Sequence, residues 1–230
     1  MIESQKCLKD LMVFSKLNDD EVKMICQKAY EKNYKKGEII FFENDSKKKL
    51  YFLTSGRVKL TMMSPEGKEK VLTILQDGDF FGEISLFDQD PHPLSAEVLE
   101  ECKLLIISWN DLENIIMNRP SLAIKIIEAL ARKTRLLASQ IRELVFQDAE
   151  GRLAALLNRF SKQFGMEING GTMIEVVLTH QEIANLLGTS RVTVTKLMNK
   201  FIENEIIKMY KRKIVILDKE KLESKLENIE

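Results

Sequence analysis

Apolar and polar positions alternate with two different periods along this 230-residue chain. As far as Ile107 the apolar residues come in short runs, at Gly37–Phe42, Leu50–Leu53, Arg57–Met62, Val71–Leu75, Ala96–Leu99 and Cys102–Ile107. Turn signals at Ser55-Gly56, Pro65-Glu66-Gly67 and Asp77-Gly78-Asp79 separate several of them. Short strands at even spacing, broken by glycine turns, predict an antiparallel roll or barrel. One short helix precedes them, opened by Asn18 or Asp19 and carrying Val22, Ile25 and Cys26. Beyond Ser121 the period becomes helical. Ile127, Leu130, Thr134, Leu137, Ile141 and Leu144 recur at spacings of three and four. That is the seam of a two-stranded coiled coil, so the pattern predicts a long helix to Phe146 and a homodimer.

Between Thr179 and Asn204 the pattern predicts two short helices around a turn. Thr179 and Glu182 have capping-box spacing, which opens a helix near His180. Ile183, Leu186 and Leu187 give it a buried face, and Gly188 can take the positive φ that ends it. Ser190 caps the second helix, in which Val194, Leu197 and Phe201 form a core stripe. Arg191, Val192, Thr195, Lys196 and Asn199 are left on the opposite face. A helix of this kind fits the major groove, where Arg191 and Lys196 can donate to guanine, Thr195 can donate or accept, and Val192 can pack on a thymine methyl. Ile206–Met209 and Ile214–Leu217 then predict two strands joined by the basic tip Tyr210-Lys211-Arg212-Lys213, a wing able to touch the DNA backbone. The last residues, with Leu222, Leu226 and Ile229 amid mixed charge, predict a short amphipathic helix.

Overall charge adds little, because 35 basic and 35 acidic residues cancel. The distribution says more: Thr179–Ile214 holds seven basic residues against three acidic ones, a local +4 suited to phosphate contact. No stretch approaches membrane length, and Met1–Lys6 lacks a basic start followed by an apolar run, so a cytoplasmic location is expected. Cys7, Cys26 and Cys102 are odd in number and scattered, which argues against a disulfide framework. A metal-dependent enzyme built on the roll would need clustered histidines and carboxylates. The chain has only His92 and His180, far apart in sequence, so neither a metal site nor an enzyme is expected. His180 is read as serving the helix start or a DNA phosphate.

The two helices with their wing, the segment Phe146–Leu153 and the upstream Gly82-Glu83-Ile84-Ser85-Leu86-Phe87 together resemble the bacterial CRP/FNR transcription regulators. The resemblance implies an α+β chain in three parts. These are an effector-sensing antiparallel β-roll of the double-stranded β-helix (jelly-roll) type over 1–118, a dimerisation helix and hinge over 119–147, and a winged helix-turn-helix over 148–230. It implies DNA-backbone contacts for Thr179, His180, Gln181, Ser190 and Thr193, base reading by the following turns, a palindromic operator, and RNA polymerase as a further partner. The wing contributes Tyr210, Lys211 and Arg212.

The same resemblance marks an effector pocket at Gly82, Glu83, Leu94, Ser95, Ala96, Leu137 and Ala138. In cyclic-nucleotide binders of this family the Gly-Glu pair meets the ribose, an Arg-Ser pair meets the phosphate, and a Thr-Ser pair on the long helix meets the base. Gly82 and Glu83 match. Leu94 stands in place of the arginine, His92 is a poor substitute for it, and Leu137-Ala138 replace the base-reading hydroxyls. Cyclic AMP is therefore not the expected effector. The expected regulator is controlled allosterically by the roll through another small molecule; the alternative is a vestigial pocket with constitutive DNA binding. Val192 also stands where the family has a glutamate, which implies an operator unlike the usual TGTGA-type half-site.

Overall fold

The computed structural model describes residues 19–226. Cys7, Asn18 and Ile229, like the side chain of Val22, lie outside what is described. The chain forms two units that meet within one helix, between Lys133 and Thr134.

The first unit is a roll of six antiparallel strands: β1 (Tyr30–Tyr34), β2 (Ile39–Phe41), β3 (Lys49–Met63), β4 (Glu69–Leu75), β5 (Phe80–Phe81) and β6 (Ser95–Ser108). Their order is β1-β6-β3-β4, with β2 paired to β6 and β5 to β3. The runs of consecutive apolar residues in β3 and β6 arise because both faces of these strands are covered. Leu50, Phe52, Leu105 and Ile107 pack in one core with residues of the flanking helices, whereas the alternate residues Tyr51, Leu53, Leu104 and Ile106 fill the interior of the roll. Strand β1, mostly polar, is held as an edge along β6, with Tyr34 as its one buried residue.

Two expected breaks are absent. Ser55-Gly56 is not a turn; β3 continues through it with shifts of register between Leu53 and Val58. Gly56 has φ +92°, and a Cβ there would lie 2.2 Å from the Glu101 carbonyl oxygen. Glycine serves here a bulge and a close approach to β6 rather than a reversal. For the same reason the two expected strands Ala96–Leu99 and Cys102–Ile107 are one, β6.

Helix α1 (Asp19–Lys28) buries Ile25, and α2 (Glu83–Phe87) follows β5 directly. Helix α3 (Trp109–Asn118) is capped by Ser108, whose hydroxyl accepts from the Asp111 amide at 3.3 Å. Helix α4 (Pro120–Phe146) places Leu122, Ile126 and Ala129 in the helix-side core of the roll.

The second unit centres on α5 (Ala149–Phe164), capped by Asp148, with Leu153, Ala154, Leu156, Leu157, Phe160 and Phe164 buried. A four-stranded sheet follows the order β7 (Gly165–Ile168), β8 (Gly171–Ile174), β10 (Lys213–Ile216) and β9 (Ile207–Tyr210). Between β8 and β9 lie α6 (His180–Leu187) and α7 (Arg191–Glu203), and α8 (Lys219–Glu223) closes the unit with Leu222 buried. Arg159 grips Glu143 at 2.8 Å, tying the end of α4 to α5. No helix of the described residues is long and apolar enough to cross a membrane.

Candidate nucleic-acid interface

Helix α6 begins with a complete capping box: the Glu182 amide donates to Thr179 Oγ1 at 3.2 Å, and the Thr179 amide donates to Glu182 Oε2 at 2.6 Å. It ends at Gly188, whose φ of +66° turns the chain toward Ser190. The Ser190 hydroxyl accepts from the Thr193 amide at 3.0 Å and pairs with the Thr193 hydroxyl at 2.8 Å. The turn is thus set by a left-handed glycine at one end and a side-chain cap at the other, at the positions that the pattern marks.

The buried face of α7 is Val194, Met198 and Phe201, so Met198 rather than the expected Leu197 completes the stripe; Leu197 is half-buried. The 4–3 spacing keeps these three on one face of the helix, and α7 packs against α5 and α6. On the other side Arg191, Val192, Lys196 and Asn199 are exposed. Val192 is 64% exposed, an apolar side chain held in water on an otherwise polar face. Thr195 is half-buried and its hydroxyl already engaged. It donates to the Arg191 carbonyl at 3.0 Å and lies 2.8 Å from His180 Nδ1. A hydroxyl has one proton, so with that proton on the carbonyl the imidazole must be the donor of the second bond. Spacing alone could not reveal this link between α6 and α7, because the two residues lie 15 positions apart.

Gln181 is exposed and bonds Asn185. The wing is the hairpin β9–β10, with Tyr210 opposite Lys213 and only Lys211 and Arg212 between them. All of Lys208, Tyr210, Lys211 and Arg212 are exposed, while Lys213 is drawn to Glu175 at 3.6 Å.

In the roll, Gly82 (φ +88°) caps α2, where a Cβ would lie 2.5 Å from the Lys49 carbonyl oxygen. Glu83 is buried and pairs with Lys133 at 2.9 Å, an ammonium that also donates to the Phe80 carbonyl and lies over the Phe80 ring. Ser95 accepts from the Glu43 amide at 2.9 Å, Ala96 is buried among the interior residues, and Leu94 is half-buried. His92 is only 2% exposed and stacks on Phe41 with ring centroids 3.8 Å apart. Its Nε2 donates to the Lys47 carbonyl at 2.9 Å, which leaves Nδ1 to accept from the Ser85 hydroxyl at 2.9 Å. Main-chain bonds on either side, Asn44 to His92 and His92 to Asp45, hold the loop against the β2–β3 connection. Burial pushes the His92 pKa down, outweighing the Lys47 carbonyl and the Asp45 and Glu83 carboxylates that favour the cation; the Lys47 ammonium opposes it too. The ring is a neutral, fully bonded member of the interior.

Leu137 and Ala138 belong to the second unit and are exposed on α4. So are Thr134, Ile141 and Leu144, and in the first unit Ile127, whereas Leu130 is half-buried against the roll core. Ile141 is 62% exposed and its neighbours Leu136, Val145 and Phe146 are also in water, an apolar surface a lone chain leaves open. Burial raises the thiol pKa of Cys26 and pushes that of Cys102 up to about 11, which keeps both protonated.

Residues 31–119 match the family model of the cyclic nucleotide-binding domain, and residues 151–225 that of the Crp-like helix-turn-helix domain. The chain is 30% identical over 210 residues to the CRP-like cAMP-activated global transcriptional regulator of Mycobacterium tuberculosis (strain CDC 1551 / Oshkosh), covering 91% of this chain and 94% of that protein. Among solved structures, a CooA mutant from Carboxydothermus hydrogenoformans is similar with a TM-score of 0.75 at 28% identity, over 87% of this chain and 88% of that one. A CRP/FNR family transcriptional regulator from Thermus thermophilus superposes with a TM-score of 0.72 at 26% identity, over 86% of this chain and 98% of that one.

Proposed function

Because this chain belongs to the CRP/FNR family of transcription regulators, which act through a DNA-binding helix-turn-helix and are not enzymes, we propose that it works as a homodimer that reads a palindromic operator with α7. The observation that carries this reading is the outward row Arg191, Val192 and Lys196 on a helix whose start is fixed by the Ser190 cap and whose back is buried. Arg191 and Lys196 donate to base edges and Val192 packs on a thymine methyl. Thr179, His180, Gln181, Ser190 and Thr193 position the helix on phosphates, as do Tyr210, Lys211 and Arg212 in the wing. Thr195, already bonded to His180 and Arg191, positions the reader rather than reading.

The exposed Ile127, Leu137, Ile141 and Leu144 of α4 support two-fold pairing, with the exposed Thr134 and the half-buried Leu130 completing the seam. Two readers related by such an axis meet half-sites about one DNA turn apart, ~34 Å. The functional parts run over 1–118, 119–147 and 148–230, with RNA polymerase as the partner of the DNA-bound dimer. Selection of duplexes from a random pool, followed by titration, tests the reading. Arg191→Ala costs ~1–3 kcal/mol on the selected duplex and relaxes preference at one base pair. An equal loss on selected and random duplex contradicts the assignment.

A specific observation favours constitutive binding over control by a small molecule. His92, Ser85 and the Lys47 carbonyl satisfy one another inside the roll, beside the Glu83 that Lys133 neutralises. Gly82, Glu83, Ser95 and Ala96 then serve the roll's own structure, and cyclic AMP finds neither an arginine at Leu94 nor hydroxyls at Leu137 and Ala138. Operator affinity unchanged across a panel of nucleotides and metabolites agrees with this reading, whereas a severalfold gain with any of them restores sensor control.

A further inference from the structure

His180 opens α6, half-buried, and its Nδ1 lies 2.8 Å from the Thr195 hydroxyl on α7. That hydroxyl donates its own proton to the Arg191 carbonyl at 3.0 Å, so it accepts from the ring and Nδ1 must carry a hydrogen. A neutral imidazole holds one N–H, and here that N–H is spent inside the protein. The other nitrogen, Nε2, has no partner among the described residues and is not sealed in the interior. In the neutral ring it is a bare lone pair. A phosphate oxygen cannot bond it, because both atoms would be acceptors.

The charged groups on the helices around the ring are cations or are committed elsewhere. On α6, Glu182 is held by the Thr179 amide and hydroxyl. On α7, Arg191 and Lys196 are exposed on either side of Thr195 in sequence, Lys200 is bound to Glu150, and the exposed Glu203 lies about two turns beyond Thr195. Helix α5 also packs against α6. There Glu150 holds Lys200 and Lys225, Arg152 donates to the Gln147 carbonyl, Arg159 grips Glu143, and Lys162 is exposed. Among the described residues no carboxylate bonds the ring, so the anion left to meet it is the phosphate of a duplex.

We infer that His180 couples DNA binding to proton uptake: Nε2 takes a proton from the solvent as the duplex arrives, and the imidazolium then donates to Thr195 through Nδ1 and to a phosphate oxygen through Nε2. The inference rests on the DNA-binding reading above and adds to it a dependence on pH. Histidine changes charge between about pH 5 and 8, so binding tightens as the pH falls through that range. Linkage requires the converse, that duplex added to the protein draws protons out of solution.

Titration of a selected duplex at about pH 6 and about pH 8, at one ionic strength, reads the coupling. The wild-type protein binds roughly tenfold tighter at the lower pH. His180→Arg is charged at both, so its two affinities come within about twofold of each other. Thr195→Val keeps the histidine but removes the acceptor that fixes its tautomer. The neutral ring can then place its proton on Nε2, and the advantage of low pH shrinks to about threefold. Melting each protein at both pH values confines the comparison to folded chains. Equal wild-type affinities at the two pH values overturn the coupling and leave the DNA-binding reading standing. A tenfold difference retained in His180→Arg assigns the proton to another group, and one retained in Thr195→Val overturns the fixed tautomer; either result sinks the inference. A wild-type protein that binds no duplex at either pH fails the DNA-binding reading itself, and the inference falls with it.

Discussion

Around the reader helix the donors end in solvent, whereas in the roll they end on one another. Arg191, Lys196, Lys211 and Arg212 are exposed, and Val192 holds a bare isopropyl group in water. Glu83, Ser85 and His92 are buried, each with a protein partner at 2.9 Å. A surface that meets a partner keeps hydrogen-bonding capacity in reserve, because a donor already satisfied within the protein gains little from a ligand. By that criterion the second unit is built to meet something, and this part of the roll meets its own needs. The difference also explains why DNA binding can be argued residue by residue while the effector reading leans toward none.

The largest effect should come from the exposed apolar residues of α4. Ile141→Glu sets two carboxylates against each other across the proposed seam. If each copy loses a hot spot of about 2 kcal/mol, the dimer weakens by about 4 kcal/mol, roughly a thousandfold. Sedimentation should then show monomers at micromolar concentration, with operator binding lost alongside; an unchanged dimer would place the interface elsewhere.

Removing the plug of the roll should come next. His92→Ala leaves a cavity against Phe41 and takes one partner each from the Ser85 hydroxyl and the Lys47 carbonyl, which keep the Gly82 carbonyl and the Lys49 amide, a cost of about 2–3 kcal/mol. Added imidazole should restore part of the melting temperature by refilling the cavity. The random-duplex affinity of the folded protein should stay at the wild-type value. A fall in that affinity would mean that DNA binding depends on the interior of the roll.

Smaller still is the link within the reader. Thr195→Val removes this bond alone and His180→Ala removes it together with a phosphate contact, so Thr195→Val should weaken operator binding by about 1 kcal/mol and should add little once His180 is alanine. Additive losses would show two independent DNA contacts instead of one positioning pair.

Acidification gives the smallest test. His92 has its pKa lowered in the fold, so below the ordinary histidine value of about 6.5 the unfolded chain takes up a proton that the folded chain refuses. Stability is therefore full above that pH and falls as the pH drops toward the folded pKa, by less than about 1.4 kcal/mol per pH unit. In His92→Asn this part of the pH dependence should vanish. A wild-type slope retained in that variant would assign the effect to other groups.

The helix-turn-helix was legible because its signals are local: Thr179, Glu182, Gly188 and Ser190 act within three or four residues of their targets. The long helix α4 was legible as a period. What escaped depends on contacts distant in sequence. Strand β1 is too polar and β7, at four residues, too short to show a pattern, and their neighbours hold both as edges. Gly56 carries the same sequence signal for a bulge as for a turn, and only the approach of Glu101 distinguishes them. The choice of Met198 over Leu197 follows from the facing helices. His92 reads as a poor substitute for a phosphate-binding arginine, and its place as a packing group stacked on Phe41 depends on residues far off in sequence.

Hydroxyl-radical footprinting of the wild-type protein on a selected duplex tests the central claim most directly. Paired readers on a two-fold axis predict two protected patches related by symmetry, their centres ~34 Å apart along one face of the DNA. A single asymmetric patch, or uniform cleavage at every protein concentration, contradicts it.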